Sequence, residues 1–502
     1  MRLVRWRRPS QVLALVLTAL FAVPSCSSWQ QTQALVARDN HYRQLRVWTV
    51  DGGAHFLRDP WFRGDTLGEG SVAIPIDQIA KVEAWRFSGP KTALLVVGVG
   101  AGAVLVAGAI YLLTYESTNC PRIYSWDGAS WRLDSGTYAG AFMQALARTD
   151  VDNLDVVRGQ GGNLRLRVTG VPNETEHLDA IRLLVIDHDP QCTIAPDAGG
   201  TLHALGPLTP PIAARDFRRR DILRLVRETD ALCWESVPTG RDTARADDIR
   251  DGLEVDFPRI AGATEARLVV DGAYTTWQSY LMSEYIELHG RDTGAWCRTL
   301  AADPAQARRF EDAIAREMFL QVALWDGTQW RRQGAVPGAG PELSKRQVVR
   351  LDLSGMRGDT VRVRLETAPS LWRIGRVALD VGPEREFAVK EVGLGGAIDS
   401  RGRDIRSHLD HPDGREVRME SSEALDLRFA VDPTPAGRAR SYLVSTTGWY
   451  QVHTSEVSEP DWVLADRLVQ EPGAMSRYSV SRTNEALHAM TAASHGLGTA
   501  PR

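Results

Sequence analysis

Ser125-Trp126-Asp127-Gly128-Ala129-Ser130-Trp131 and Leu324-Trp325-Asp326-Gly327-Thr328-Gln329-Trp330 share one pattern: an aromatic strand end, Asp-Gly, then a second tryptophan. Asp-Gly between apolar runs signals a tight hairpin, because glycine reaches positive φ and aspartate hydrogen-bonds its own turn. Downstream of the two hairpins lie Leu164-Arg165-Leu166-Arg167-Val168 and Val361-Arg362-Val363-Arg364-Leu365. Strict alternation puts Leu and Val on a core face and Arg in solvent. A further apolar strand ending in Asp follows each, Ile181 to Asp187 and Arg376 to Asp380, and the spacing from Gly to the Arg-alternating strand agrees within two residues. The reading is two copies of one β-sandwich-like unit, over residues 116–200 and 319–390, with chance recurrence as the competing explanation.

Between the copies, residues 201–318 read as a helical and mixed insert. Phe217, Ile222, Leu225, Val226 and Thr229 share a helical face, as do Trp277, Tyr280, Leu281, Tyr285 and Leu288, the latter stopping at Gly290. A third helix opens at Asp303-Pro304 with Gln306 placed for a capping box, and Phe310, Ile314 and Met318 form its apolar stripe. Residues 391–471 return to short strands, and 472–502, rich in Ser, Ala and Thr, carry no core pattern and read as a loose tail. The fold class is mostly β (α+β).

The amino-terminal region reads as an export and membrane segment. Arg2, Arg5, Arg7 and Arg8 precede an apolar run, Val12 to Val23. That run is roughly 18 Å long as a helix, too short to cross a bilayer and right for a signal peptide over 1–25. Val23-Pro24-Ser25-Cys26 follows, a lipobox-like stretch in which the Cys26 thiol would take a diacylglycerol; an ordinary secretory cleavage nearby is the alternative. Residues 26–90 read as a small β domain: Leu45–Val50, a turn at Asp51-Gly52-Gly53, a return strand from Ala54 to Leu57, then Ser71–Ile76 and Ile79–Phe87. Residues 91–115 hold the uncharged stretch Ala93 to Leu113, roughly 31 Å as a helix, which matches the hydrocarbon core. Within it Gly98 and Gly102 make a small-xxx-small face suited to close helix packing and to a homo-oligomer. Topological signals conflict. A lipidated Cys26 lies outside the cytoplasm, yet Lys81, Arg86 and Lys91 before the segment would favour the cytoplasmic side. An embedded helix without full crossing removes the conflict and leaves the large carboxy-terminal part extracytoplasmic.

Cys120-Pro121-Arg122-Ile123-Tyr124-Ser125-Trp126-Asp127-Gly128 resembles the Cys-Pro-x-x-Tyr-Ser-x-Asp-Gly motif of a group of uncharacterised bacterial envelope lipoproteins, in which it follows a small domain and an apolar segment. The resemblance runs over most of the chain. It implies a membrane-anchored place in the bacterial cell envelope and no particular activity.

Composition bounds the rest. The chain has 502 residues, 43% of them hydrophobic, a net charge of −4 and 15 Trp. That is room for several domains, excludes a disordered or polytopic membrane chain, and lacks the basic excess of a nucleic-acid binder. Cys120, Cys192, Cys233 and Cys297 are an even set in an exported region, so two disulfides or buried free thiols are both open; their spacing fits no zinc motif. Asp404, His408, Asp410, His411 and Asp413 could ligate a divalent cation or simply build a turn at Asp410-His411-Pro412-Asp413-Gly414. Asp187-His188-Asp189 poses the same choice at a strand end. Arg215, Arg218, Arg219, Arg220, Arg224 and Arg227 read as a basic helix face, solvated or against anionic lipid. No cofactor or catalytic motif stands out. The functional expectation is a lipoprotein whose Trp-rich β units bind a partner protein or glycan; a surface hydrolase of envelope polymers and an oligomeric membrane-assembly component are the alternatives.

Overall fold

The computed structural model describes residues 27–32, 44–49, 54–58, 60–63, 66–69, 72–87 and 121–497, the last without 160–161, 231, 237–248, 342, 357, 422 and 455–457. The chain divides into two compact units, Met1–Ala109 and Ile110–Arg502. Gly98, Gly102 and the whole apolar stretch 93–113 lie outside the described residues, as do Cys26 and Cys120. Among the described residues no helix is long and apolar enough to cross a membrane.

In the first unit, strands β1 (Ser27–Thr32), β2 (Gln44–Thr49), β3 (Ala54–Arg58) and β7 (Ile79–Phe87) form one sheet in the order β1-β7-β2-β3. Strands β4 (Trp61–Arg63), β5 (Thr66–Glu69) and β6 (Val72–Pro75) form a second. Leu45, Val47, Leu57, Leu67, Ile74 and Val82 make its core. Period-two apolar residues in β2 point inward, and β2 pairs antiparallel with β3, Trp48 opposite Ala54; the expected turn at Asp51-Gly52-Gly53 lies outside the described residues.

The second unit is mostly β and is built from repeated sandwich-like sheets. Its first run is β8 (Arg122–Trp126), β9 (Trp131–Gly136), β10 (Arg148–Asn153), β11 (Asn163–Thr169) and β12 (Glu174–His188). After a small hairpin, β13 (Thr193–Pro196) and β14 (Leu202–Leu205), come β15 (Ala213–Asp216), the one-turn helix α1 (Leu223–Val226), β16 (Trp234–Glu235), β17 (Asp251–Pro258) and β18 (Glu265–Tyr274). Helices α2 (Thr276–Glu287), α3 (Thr293–Ala302) and α4 (Pro304–Met318) lead to β19 (Leu320–Trp325), β20 (Trp330–Val336), β21 (Lys345–Asp352), β22 (Thr360–Thr367) and β23 (Trp372–Asp380). Last are β24 (Ala388–Val392), β25 (Gly396–Ile398), α5 (Arg406–Leu409), β26 (Val417–Glu420), β27 (Ala424–Ala430), β28 (Ala439–Val452), α6 (Trp462–Gln470) and α7 (Ala474–Leu497).

The sheet orders reveal how the copies close. One sandwich pairs the sheet β25-β27-β11-β8-β9 with β10-β28-β12-β24, to which β26 adds on β12. The other pairs β15-β17-β22-β19-β20 with β16-β23-β18-β21. The orders superimpose strand for strand: β25, β27, β11, β8 and β9 correspond to β15, β17, β22, β19 and β20, and β10, β28, β12 and β26 to β21, β18, β23 and β16. Strands β15–β23 are therefore one complete sandwich inserted into another, which opens with β8–β12 and closes with β24–β28. The second copy of 319–390 is completed by strands from within 201–318, and the strands of 391–471 pair into the sheets of the first sandwich. Inward residues of both, such as Leu166, Phe429, Val363 and Phe257, share one apolar core.

A recurring turn supports the closure. Ala214-x-Asp216-x-x-x-Arg220-Asp221-Ile222 and Ala397-x-Asp399-x-x-x-Arg403-Asp404-Ile405 fold alike. Asp216 Oδ1 accepts from the amides of Arg218 and Arg220 and its Oδ2 from Arg220 Nε at 2.6 Å; Asp399 does the same with Arg401 and Arg403, the last at 2.7 Å. Ile222 and Ile405 return a backbone bond to Ala214 and Ala397, both at 3.0 Å. Arg219 and Gly402, at φ 65° and 77°, supply the left-handed residue this turn requires.

The expected basic helix face is thus corrected: Arg215 is in a strand, Arg218–Arg220 are in the turn, and only one helical turn follows. Helices α2 and α4 match their expected stripes; Asp303 Oδ1 caps α4 by accepting from the amides of Ala305 and Gln306. The expected loose tail is helical in α7. Ser479 is fully buried there, accepts from Trp277 Nε1 at 3.0 Å and donates to the Pro369 carbonyl at 2.9 Å. Met475 and Val480 are buried on the same face, but Ser476, Ser479 and Thr483 share it, so the apolar pattern there is too sparse to announce a packed helix.

Candidate functional site

Each Trp-Asp-Gly hairpin closes on its aspartate rather than on a two-residue turn. Asp127 Oδ1 accepts from the amides of Ala129 and Ser130 at 2.8 Å each, and Asp326 Oδ1 from Thr328 and Gln329 at 2.7 and 2.9 Å. These bonds hold both carboxyls below the usual carboxylate range; at Asp326 the Thr328 hydroxyl contributes most. Trp126 stands opposite Trp131, and Trp325 opposite Trp330, with ring centroids 5.5 and 5.3 Å apart. Arg167 lies 4.6 Å over Trp131 and pairs with Asp426 at 2.7 Å; Arg364 lies 4.1 Å over Trp330 and pairs with Glu254 at 2.7 Å. Arg165 also lies over Trp126 and Trp131, so three of the four hairpin tryptophans carry an arginine on one face, a stack built in both copies.

The copies differ on β12 and β23. Each strand carries one bulge, at Asp179 and at Gly375, which aligns them. Counted back from the bulge, Leu178 matches Ile374, His177 matches Arg373, and Glu176 matches Trp372. The partners agree, since Glu176 faces Tyr450 across the ladder and Trp372 faces Tyr274. Trp372 and Ile374 are fully buried, and Trp372 donates to the Met318 carbonyl at the end of α4 at 2.8 Å. In the first sandwich the same inward row reads Glu174, Glu176, Leu178. Glu174 is 1% exposed and Glu176 0%.

These carboxyls anchor a buried ionisable seam. Burial pushes Glu174 well above the usual carboxylate range, with Arg122 opposing. Burial and then repulsion from Glu174 do the same to Glu176, offset in part by the approach of the Val171 amide and Arg122. Glu174 Oε2 and both oxygens of Glu176 make no hydrogen bond. Beyond Arg122, Ser135 Oγ donates to Asp152 at 2.6 Å; burial pushes Asp152 up to about 7 against the pull of Lys345, which pairs with Asp150. One cleft runs along Arg122, Ser135, Asp152 and Lys345, and another along Gly140, Phe142, Glu174, Gln278 and Tyr450; both touch Gly340. The second cleft holds about two water-sized groups.

On the outer face of β12, His177 stacks on Trp449 at 3.8 Å between ring centroids. Glu416 holds both rings, bonding His177 Nδ1 at 2.9 Å and accepting from Trp449 Nε1 at 2.7 Å. Burial lowers the His177 pKa, with Glu416 opposing. Arg418 and Glu420, paired at 2.8 Å, continue the same edge. The second sandwich has Arg373 and Ala273 at the corresponding positions, so this aromatic plate is particular to the first.

The residues singled out in the sequence are dispersed. Asp404 accepts from the Arg406 amide at the start of α5, His411 lies 3.1 Å from Arg182, and Asp413 pairs with Arg415. Among the described residues no three His, Cys, Asp or Glu side chains converge as a metal site, so this cluster is a turn. Asp187 pairs bidentately with Arg440, and His188 is buried against Ser441 at 2.9 Å. Cys192 and Cys233 are free thiols and Cys297 lies half-buried on α3, so two disulfides do not form. No protein-family model matches the chain, and no curated protein matches it.

Proposed function

We propose that the chain is an envelope lipoprotein that presents the first sandwich to an envelope glycan or partner protein. The reading joins the Cys26 lipobox and the apolar stretch 93–113, as anchors, to the His177–Trp449 plate, as the contact surface. The plate carries the proposal: a half-buried indole held flat by Glu416, with Arg418, Glu420 and Asp179 around it, offers a ring face plus donors and acceptors, the combination sugar hydroxyls and polar peptides need. Hydrolysis is the weaker reading. The paired acids Glu174 and Glu176 are 1% and 0% exposed, out of reach of a polymer substrate. Gly98 and Gly102 support self-association of the anchor; Gly98→Leu with Gly102→Leu should abolish crosslinked oligomers.

Two measurements test the reading. Labelled palmitate should enter the protein through Cys26, and Cys26→Ala should abolish that labelling; an unlabelled wild-type chain that stays in the soluble fraction overturns the anchor. Co-sedimentation with purified cell-wall glycan should fall at least tenfold in Trp449→Ala with the circular dichroism retained. Equal sedimentation of variant and wild type overturns the plate as the contact surface.

A further inference from the structure

We propose that the outer face of the sheet β25-β27-β11-β8-β9 binds an acidic polysaccharide, a sugar chain carrying carboxylate or phosphate groups, through Arg165 and Arg428. The inference goes beyond the envelope reading and does not rest on it: the site lies on the opposite sheet of the first sandwich from the His177–Trp449 plate. Arg165 on β11 and Arg428 on β27 stand directly opposite each other. Like charges so placed repel and weaken a sheet. Counted from the Arg167–Asp426 and Arg364–Glu254 pairs, the sister sandwich has Arg362 and Asp256 at these positions. There Arg362 Nε and Nη2 donate to Asp256 at 2.7 and 3.2 Å. The first sandwich therefore holds an arginine where its copy holds the balancing aspartate, and the same sheet closes around either.

The positive charge is left open to solvent. Arg428 is exposed and Arg165 half-buried, and among the described residues neither makes an ion pair. Asp426, two residues along β27 on this face, is committed to Arg167 by two bonds. Arg428 lies along β25, where Gly396 offers bare backbone: a Cβ there would stand 3.6 Å from Arg428 Nε. Arg165 lies the other way, 4.9 Å from the ring centroids of both Trp126 and Trp131. With strands roughly 4.8 Å apart, the two charges are spread over several strands, which suits charges repeated along a polymer rather than one small ion. The rest of the face selects the polymer. Strand β11 is paired on both sides, so an extended peptide finds no free backbone groups to add to. None of the exposed large apolar side chains lies on these five strands, so a bilayer is not the partner. Two open arginines in a chain of net charge −4 fall short of what a nucleic acid requires. Half-buried Tyr124 and Trp126 share the face and give sugar rings an amphipathic surface.

The test is biolayer interferometry of the full chain in neutral detergent on immobilised polygalacturonate, phosphomannan, dextran and polyglutamate, at about 50 mM NaCl, where screening is weak. At least one acidic glycan should bind, and the first two probes separate carboxylate from phosphate. Dextran should not bind, and polyglutamate should bind about tenfold more weakly or less. Arg428→Asp copies the sister pair, so it should weaken acidic-glycan binding about tenfold or more while the thermal midpoint holds or rises. Arg332→Asp, the same charge change at an exposed position of β20 in the other sandwich, should leave binding unchanged. Binding of neither acidic glycan, equal binding of dextran or polyglutamate, or an Arg428→Asp chain that binds like wild type overturns the proposal. An equal loss in Arg332→Asp also overturns it, by reducing the effect to net charge. Should Arg428→Asp melt lower than wild type, Arg428→Gln takes its place, with weakened binding supporting the site and wild-type binding overturning it.

Discussion

The two sandwiches share strand order, bulge, Asp-closed hairpin and Arg–Trp stack, yet they fill one inward position in opposite ways. The second puts Trp372 there, fully buried against Tyr274 at 5.0 Å and bonded to the end of α4. The first puts Glu176 there, fully buried beside Glu174. Since the same sheet closes around either, topology is indifferent to this residue and energy is not: the indole adds packing, while the carboxylate opposes folding whenever it is ionised. The inserted sandwich thus fills this position for packing, while the enclosing one fills it with a buried acid. Substitutions at the two positions should move stability in opposite directions.

Trp372→Ala is the larger blow. It empties a core position and orphans the Met318 carbonyl, and should cost about 3–5 kcal/mol. Denaturant unfolding should register this as a lowered midpoint; a loss under 1 kcal/mol would mean that the inserted sandwich does not depend on this residue. Glu176→Leu should go the other way, gaining about 1–3 kcal/mol at pH 8 by removing an unbonded buried carboxylate. Destabilisation by Glu176→Leu would show that the acid is satisfied and erase the contrast.

The pH dependence follows from the same seam. Asp152 is raised from an ordinary value near 3.8 to about 7 by burial, so its protonated form is favoured in the folded state. Its stabilising contribution is full below pH 4 and is lost as pH rises through 7. Glu174 and Glu176, also raised, add to this fall on the alkaline side. Asp152→Asn should flatten the stability profile between pH 4 and 7. A profile with the same slope in that window would show that Asp152 is ionised throughout it.

Much of this contrast was only half legible in the sequence. The hairpins, the alternating Arg strands and the stripes of α2 and α4 are local, and local periodicity announces them. Nested closure is not local: Arg167 on β11 meets Asp426 on β27 across 259 residues of chain, and each half looks like an ordinary run of strands. The Ala-x-Asp-x-x-x-Arg-Asp-Ile turn, present twice, was the signal that could have joined the halves. Asp404 drew attention as a ligand, whereas its twin Asp221 accepts in the same way from the first amide of the other one-turn helix, which marks both as part of the turn. Glu174-Thr175-Glu176-His177-Leu178 reads as a polar strand end. Only the shared parity of Glu176 with Leu178 hints that the acids face inward, and parity alone does not say which face is buried. The His177–Trp449 plate joins β12 to β28, and no spacing rule connects them.

The smallest effect tests what the sandwiches have in common. If Arg167 over Trp131 and Arg364 over Trp330 are one inherited device, their coupling energies should match. A double-mutant cycle of Arg364→Met with Trp330→Leu should give about 0.5–1 kcal/mol, and Arg167→Met with Trp131→Leu the same within error. The carboxylate partners, Glu254 and Asp426, remain in both cycles and cancel. Zero coupling in the first sandwich with full coupling in the second would extend the divergence seen at Glu176 to the stack as well. Equal coupling confines that divergence to the seam, the plate and the Arg165–Arg428 pair, the places where the first sandwich departs from its copy.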